Sequence, residues 1–158
     1  MFSLQLKYTG FPPEKRKYNN AVKAVLAQTA RNWHQEYYEH HFTHAGASDY
    51  GYFKRKGDGM GHGAKGYRRT YTARKERRFG HKLPLRHTST GYRLGKVAQI
   101  RSTHQMGRVV LPTVFNFRHS KSRIMMREEL TKVLPRELDH LRQLADTEMG
   151  RQIHSTST

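Results

Sequence analysis

The stretch 45–82 most constrains what this chain can fold into, because it combines many glycines and cations with few aliphatic side chains. It holds eight of the thirteen glycines in the chain. Glycine at this density disfavours regular helices and strands, and a segment so poor in apolar groups cannot build a core of its own. The sequence therefore predicts a long, exposed basic arm over 45–82, inserted into the domain, with a helical turn around 73–78.

On the N-terminal side of this arm, the spacing of apolar residues predicts a strand followed by a long helix. Residues 2–8 alternate between apolar and polar side chains, as in a strand with one buried face. From about residue 14 to about residue 41 the apolar side chains instead recur at the spacing of one helix face: Tyr18, Val22, Val25, Leu26, Trp33 and Tyr37.

On the C-terminal side, residues 96–101 and 108–117 indicate a hairpin, with Pro112 at an edge, a bulge or a strand end. Ser122 is a candidate cap for a helix that begins near residue 123, and Pro135 either kinks that helix or begins a second one. Together the elements indicate a single α+β domain over 1–153, with a flexible tail at 154–158. We expect a small antiparallel sheet packed against a long N-terminal helix and a C-terminal helix.

The net charge of +18 indicates a polyanionic partner, or an assembly in which this charge is offset. The charge is concentrated, because fifteen Lys or Arg residues between Lys54 and Arg101 are accompanied only by Asp58 and Glu76. Nucleic acid is the commonest such partner, and its binding to this chain should weaken steeply with salt.

The cations of the arm are the candidates for contact with nucleic acid or with neighbouring subunits: Lys54, Arg55, Lys56, Arg68, Arg69, Arg74, Lys75, Arg77, Arg78 and Lys82. Tyr67, Tyr71 and Phe79 lie among them, as packing anchors or as rings that stack on bases. The sequence contains no RNP motif, zinc finger or clearly bounded helix-turn-helix. The pattern favours non-specific contact with a nucleic-acid backbone, and the alternative is an arm that packs on acidic surfaces of neighbouring subunits.

The sequence offers little for catalysis or for a bound metal. Glu36, His40 and His44 would share one face of a continuous helix, but the glutamate base of a His-Glu-x-x-His site is missing. Neither a Gly-x-Ser-x-Gly turn nor a phosphate-binding loop ending in Gly-Lys-Ser/Thr is present. Four acidic residues near the C-terminus intermix with cations, as on a solvated helix face: Glu128, Glu129, Glu137 and Asp139. We therefore expect a protein that is not an enzyme and that has no cofactor and no metal.

Two further classes of structure are disfavoured by composition. The chain has no cysteine, which excludes disulfides, thiolate zinc sites and cysteine nucleophiles. It has no run of eighteen apolar residues, so we expect no membrane-spanning segment.

Residues 71–94, YTARKERRFGHKLPLRHTSTGYRL, resemble a segment of bacteriophage virion morphogenesis and tail-completion proteins. In those families a basic run and a small loop precede the pattern Pro-Leu-x-x-Thr-Gly-x-Leu. The corresponding loop motif here comprises Pro84, Leu85, Thr88 or Thr90, Gly91 and Leu94. The order of the flanking elements is also similar to that of phage neck (head–tail connector) proteins.

This resemblance implies a structural virion protein of the neck or tail-completion type, assembled in the host cytoplasm. Its copies would form an oligomeric ring that joins head and tail, in contact with portal or adaptor and tail proteins and with DNA in the lumen. The alternative is a basic nucleic-acid-binding subunit of a ribonucleoprotein, such as a ribosome-associated protein. A metal-dependent nuclease that uses His40 and His44 ranks third.

Overall fold

Helices dominate the part of the chain that the structure, a computed structural model, describes: residues 15–86, 89–116 and 124–155. The helices and strands in chain order are α1 (Lys15–Tyr37), α2 (His44–Asp49), α3 (Tyr71–Phe79), α4 (Ser89–Lys96), β1 (Gln99–Ser102), β2 (Gly107–Val110), α5 (Met126–Leu130) and α6 (Pro135–Ser155). Short 3₁₀ turns lie at His40–Phe42, Tyr67–Arg69 and Thr113–Asn116. The predicted strand at 2–8, the predicted cap Ser122, Thr88 and the tail residues 156–158 lie outside the described residues.

Helix α1 is the element on which the rest of the described fold is assembled. Its apolar face packs against α6, where Val25 and Leu26 meet Ala145 and Met149. One to two turns further along, Trp33 packs against Leu141 of α6 and against the hairpin. The predicted long amphipathic helix is thus confirmed, although it ends at Tyr37 rather than near residue 41.

Helix α6 begins at Pro135, so the second of the two predicted alternatives for this proline is correct. Proline suits the first position of a helix because its missing N–H would have no partner there. Two residues on, Glu137 accepts a hydrogen bond from the backbone N–H of Leu134 at 3.0 Å, which satisfies a donor just before the helix.

The predicted hairpin is confirmed as an antiparallel pair in which Gln99 lies opposite Val110 and Ser102 opposite Gly107. Its second strand is shorter than the predicted 108–117, because it ends at Val110 and Thr113–Asn116 form a 3₁₀ turn. Pro112 lies just beyond the end of β2, where its missing N–H interrupts no strand pairing. The described fold is therefore a helical α+β domain with a small two-stranded sheet against α1.

The range 45–82 is only partly the predicted loop: residues 50–66 form turns without a helix or strand, whereas α2 and α3 occupy the two ends of the range. Thr43 caps α2 by accepting from the N–H of Gly46, and Thr70 caps α3 by accepting from the N–H of Ala73. Between these helices the chain turns back, and the N–H of Thr72 bonds the carbonyl of Lys56 at 3.3 Å. The predicted helical turn at 73–78 belongs to α3, but the expectation that no helix survives near Gly46 was wrong.

Gly46 is compatible with a helix because it permits a close approach. A Cβ atom at this position would lie 1.9 Å from the carbonyl oxygen of His40. The glycine therefore lets α2 fold back onto the preceding 3₁₀ turn, a use of glycine that composition alone does not distinguish from flexibility.

The predicted loop motif is largely helical. Thr90, Gly91 and Leu94 lie in α4, whereas Pro84 and Leu85 form a turn before it. Leu85 is buried with a φ of 52°, a left-handed conformation that is uncommon for a non-glycine residue. Both glycines of α4 are buried and permit close packing: Phe115 lies within ordinary contact of the Gly91 Cβ position, and the Tyr38 hydroxyl occupies the Cβ position of Gly95.

We predict that Gly107→Ala destabilises the fold by about 1–3 kcal/mol, because a Cβ there would lie 2.3 Å from the backbone carbonyl oxygen of Leu26 in α1. Neither backbone can move without separating the hairpin from the helix. Urea denaturation measures the loss. Gly63→Ala is the matched control, since no described atom lies within 4 Å of its Cβ position and its stability should change by no more than about 0.5 kcal/mol. Equal midpoints for the two variants would contradict this packing argument.

Candidate nucleic-acid interface

A cleft of about 1110 Å³ lies between α2, the following segment 51–58, α3 and the 3₁₀ turn that follows the hairpin. Its lining includes six of the predicted contact cations: Lys54, Arg55, Lys56, Arg74, Lys75 and Lys82. Asp58 is the one carboxylate among the described residues that line it. The fold thus gathers cations from three separate parts of the sequence into one concave surface.

Apolar side chains also line the cleft. Tyr52, Leu85 and Phe115 are buried beneath it, and they belong to one aromatic-rich core cluster. Two rings remain accessible along the walls: Phe53 is 60% exposed and Tyr71 is 38% exposed. A cationic rim above an apolar surface suits a partner that carries both negative charge and flat apolar groups.

Three of the cations have no carboxylate partner within the described ranges. Lys54, Lys56 and Arg74 are exposed at the cleft, and no ion pair involves them there. Lys56 lies beside the first turn of α3, which carries Arg74, because the carbonyl of Lys56 accepts from the N–H of Thr72. Asp58 does not pair with any of them, since its oxygens accept from the Thr72 hydroxyl and from the Arg55 N–H, each at 2.7 Å.

The other three cations are bound within the protein. Arg55 forms a two-pronged ion pair with the buried carboxylate of Glu129. The ammonium of Lys75 is buried and donates to the carbonyl of Leu83, and burial, followed by the nearby charge of Arg55, lowers its pKa to about 8. Lys82 lies 3.4 Å from the carboxylate of Glu76. These three cations therefore stabilise the fold through contacts within the chain.

The remaining predicted contact residues lie outside the cleft. Arg68 and Arg69 form the 3₁₀ turn before α3, and Arg77 donates to the carbonyl of Arg68 at 2.9 Å. Arg78 lies over the ring of Phe79, with 5.3 Å between its guanidinium carbon and the ring centroid.

Of the predicted packing anchors, Tyr67 is buried and donates to Glu76 at 2.9 Å, so it does pack within the protein. Phe79 is half-buried at the end of α3, and Tyr71 instead lines the cleft. Of the three rings predicted either to pack or to stack on bases, Tyr71 alone lines the cleft.

The interpretation of the four C-terminal acidic residues as a solvated helix face was wrong for two of them. Glu128 and Asp139 are exposed, but Glu129 and Glu137 each retain only 2% exposure. Glu137 accepts from the hydroxyl of Tyr50 at 2.5 Å and from the N–H of Leu134. The sequence contained one signal for this, since a proline at the first position of a helix followed two residues later by glutamate is typical of a carboxylate that caps the helix.

Sequence reasoning also missed Glu129, which connects α5 to the cleft. Besides Arg55, its carboxylate accepts from the backbone N–H of Phe53 at 3.1 Å. The carbonyl of Phe53 in turn accepts from the Arg55 guanidinium at 2.7 Å. Both polar groups of the Phe53 backbone are therefore fixed, while its ring projects into the cleft. No local pattern predicts a pair separated by more than seventy residues.

A buried histidine lies behind the same wall. His41 is fully buried, stacks on Tyr50 with 3.9 Å between ring centroids, and its Nδ1 is hydrogen-bonded to the Tyr52 hydroxyl. Burial, with a smaller contribution from His40, lowers the pKa of His41 to about 3. His41 is therefore neutral in the folded protein across the physiological range.

The predicted alternative of a metal held by Glu36, His40 and His44 does not fit this geometry. Because α1 ends at Tyr37, the three residues do not share a helical face. Glu36 lies 3.3 Å from His140 of α6, and His40 lies 2.9 Å from Asp49 of α2. Within the described ranges, no group of three or more His, Asp or Glu side chains is arranged to hold a metal ion.

No helix in the described part of the chain is both long and apolar enough to cross a membrane.

We predict that Arg55→Gln destabilises the protein by about 3–5 kcal/mol, because it leaves the carboxylate of Glu129 buried without its cation. Lys54→Gln is the matched control, since it removes the same charge from the neighbouring residue without touching a buried partner, and its effect should stay within about 0.5 kcal/mol. Urea denaturation compares the two. An equal loss in the free energy of unfolding for Lys54→Gln and Arg55→Gln would show that the ion pair with Glu129 is not what stabilises this segment.

We also predict that stability decreases between pH 6.5 and pH 4. The unfolded chain protonates His41 near its ordinary pKa of about 6.5, whereas the folded protein resists protonation down to about 3. Between these values the unfolded state binds the extra proton, so this group lowers the free energy of unfolding by up to about 1.4 kcal/mol per pH unit of acidification. Urea denaturation at a series of pH values measures this slope.

The double variant His41→Phe/Tyr52→Phe removes both partners of the buried hydrogen bond, which avoids leaving one of them unsatisfied. Its stability should depend less steeply on pH over the same interval. An unchanged slope would mean that other groups account for the acid sensitivity.

Comparison of the chain with models of known families, with curated proteins and with solved structures gave no match. The functional interpretation therefore depends on the residues and on the geometry of the cleft.

Proposed function

We propose that this protein is a structural component of a bacteriophage virion, of the neck or tail-completion type, and that its copies form a ring around the DNA path between head and tail. The observation that carries the proposal is the location of the segment 71–94, which resembles those families. Its basic half supplies α3 and part of the cleft wall, and its Thr-Gly-x-x-Leu half forms α4.

Exposed aliphatic side chains near α4 support an interface between subunits. Leu94 is 50% exposed and Val97, just after α4, is 77% exposed. Val110 of β2 and Val114 of the following 3₁₀ turn are also exposed, and Val114 lies beside Gly91 of α4. Apolar groups collected around one helix and one hairpin favour contact with another protein surface.

The charge of the chain is consistent with such an assembly if DNA or acidic neighbours balance it. Copies that each carry a formal charge of +18 repel one another when they are brought together. A ring in which the unpaired cations Lys54, Lys56 and Arg74 contact phosphates would reduce this repulsion.

The second candidate function is a nucleic-acid-binding subunit of a ribonucleoprotein. The accessible rings of Phe53 and Tyr71 beside unpaired cations favour it, because such rings stack on unpaired bases. This candidate predicts that the isolated chain binds structured RNA tightly as a monomer.

The test of the ring is assembly with purified portal and tail proteins, followed by light scattering and negative-stain electron microscopy. We expect ring-shaped oligomers for the natural sequence. Leu94→Lys/Val97→Lys should abolish them, because two charges would be buried at the interface, and both side chains are exposed enough for the fold to tolerate the change.

Ile153→Lys on α6 is the matched control, since Ile153 is also exposed and lies outside the α4 region. This variant should assemble normally. A natural chain that remains monomeric at high concentration beside the portal and tail proteins would exclude the proposed function.

A further inference from the structure

We infer that the cleft binds single-stranded nucleic acid, with phosphates on Lys54, Lys56 and Arg74 and with unpaired bases against Phe53 and Tyr71. The inference goes beyond the proposed function, because it names the form of nucleic acid that the cleft binds, and it does not require a ring. It depends on three features of the described residues: unpaired cations, accessible rings and a preformed wall.

The unpaired cations provide the sites for phosphates. Lys54, Lys56 and Arg74 line one concave surface, and none of them has a carboxylate partner in the described part of the chain. Cations held close together without counterions repel one another, so a polyanion gains more at this surface than at an isolated lysine. A second copy of this chain is a poor occupant, because it carries the same charge of +18.

The accessible rings favour a nucleic acid over an acidic peptide. Phe53 is 60% exposed although the apolar core lies directly behind it, where Tyr52 is buried. Tyr71 lines the same cleft on α3 and is 38% exposed. Every base presents a flat face that can stack on such rings, whereas carboxylate side chains do not.

The wall that carries Phe53 is fixed before any ligand binds. Its backbone N–H and carbonyl are held by Glu129 and Arg55, at 3.1 and 2.7 Å. The ring is thus presented toward the cleft without the ordering cost of a flexible loop. An exposed apolar ring on a fixed backbone is typical of a ligand-binding surface, whereas a ring exposed by local unfolding would lie on a backbone without such hydrogen bonds.

A single strand fits this arrangement better than a duplex does. Bases in a duplex are stacked on one another, and exposing one of them requires unstacking and unpairing. In a single strand the base faces are already available to Phe53 and Tyr71. The contacts involve backbone phosphates and base faces rather than base edges, so we expect little sequence preference.

The experiment is fluorescence anisotropy of the full chain with a labelled thymidine oligonucleotide of about 12 nucleotides, a length that one single-strand-binding domain covers. The competitors are a duplex of the same length and polyglutamate. We expect the single strand to bind more tightly than the duplex, and polyglutamate to compete poorly. Tighter duplex binding would overturn the inference, and equal competition by polyglutamate would indicate an acidic protein partner instead.

Two sets of variants separate the phosphates from the bases. Lys54→Gln/Lys56→Gln/Arg74→Gln should reduce the slope of log affinity against log salt by about 2, since each phosphate contact on a single strand contributes about 0.7. Phe53→Ala should weaken binding about 5- to 150-fold with an unchanged salt slope, because a lost stack carries no charge. An unchanged affinity for Phe53→Ala would show that bases do not stack on Phe53.

Lys15→Gln/Arg16→Gln/Lys23→Gln is the matched control, since it removes three exposed cations from α1, outside the cleft. It should reduce the slope less than the cleft variant does, and a reduction of equal size would show that the general charge of the chain, rather than the cleft, binds the strand. Each variant is checked for folding by urea denaturation. These outcomes do not depend on ring assembly, which is tested separately through Leu94 and Val97.

Discussion

The buried ion pair between Glu129 and Arg55 is the interaction on which the cleft depends. A carboxylate that retains 2% exposure needs a cation or hydrogen-bond donors around it to offset the cost of burial. Arg55 supplies the cation and the backbone N–H of Phe53 supplies a donor. The pair therefore fastens the cation-rich segment to α5, in addition to the apolar cluster that Tyr52 shares with Leu130 of α5.

A second buried carboxylate lies one helix later and is held by hydrogen bonds instead of an ion pair. Glu137 caps the start of α6 and accepts from the buried hydroxyl of Tyr50, which stacks on His41. Burial raises the pKa of both Tyr50 and Tyr52 and keeps their hydroxyls protonated, and the Tyr50 hydroxyl donates to Glu137. These hydrogen bonds and ring contacts connect the polar groups behind the cleft to the aromatic core.

The cations of this protein belong to two physically different classes. Arg55, Lys75 and Lys82 have partners within the chain, so their charge is committed to the fold. Lys54, Lys56 and Arg74 have no such partners among the described residues, so their charge remains available to a ligand. Residue type and position along the sequence do not separate these classes, because the partners come from α5, from α3 and from the chain after α3.

The sequence by itself determined the amphipathic helix α1, the hairpin and the excess of positive charge near the middle of the chain, and it offered a helix start at Pro135 as one of two alternatives. Each of these depends on local spacing or on composition, which short stretches of sequence express directly. Only the tertiary structure decided that Gly46 and Gly91 allow close contacts within helices, that Glu129 and Glu137 are buried, and which cations remain unpaired. These outcomes depend on side chains far apart in sequence, such as Phe53 and Glu129, and the free energy of burying a charge is set by the partner that the fold brings to it.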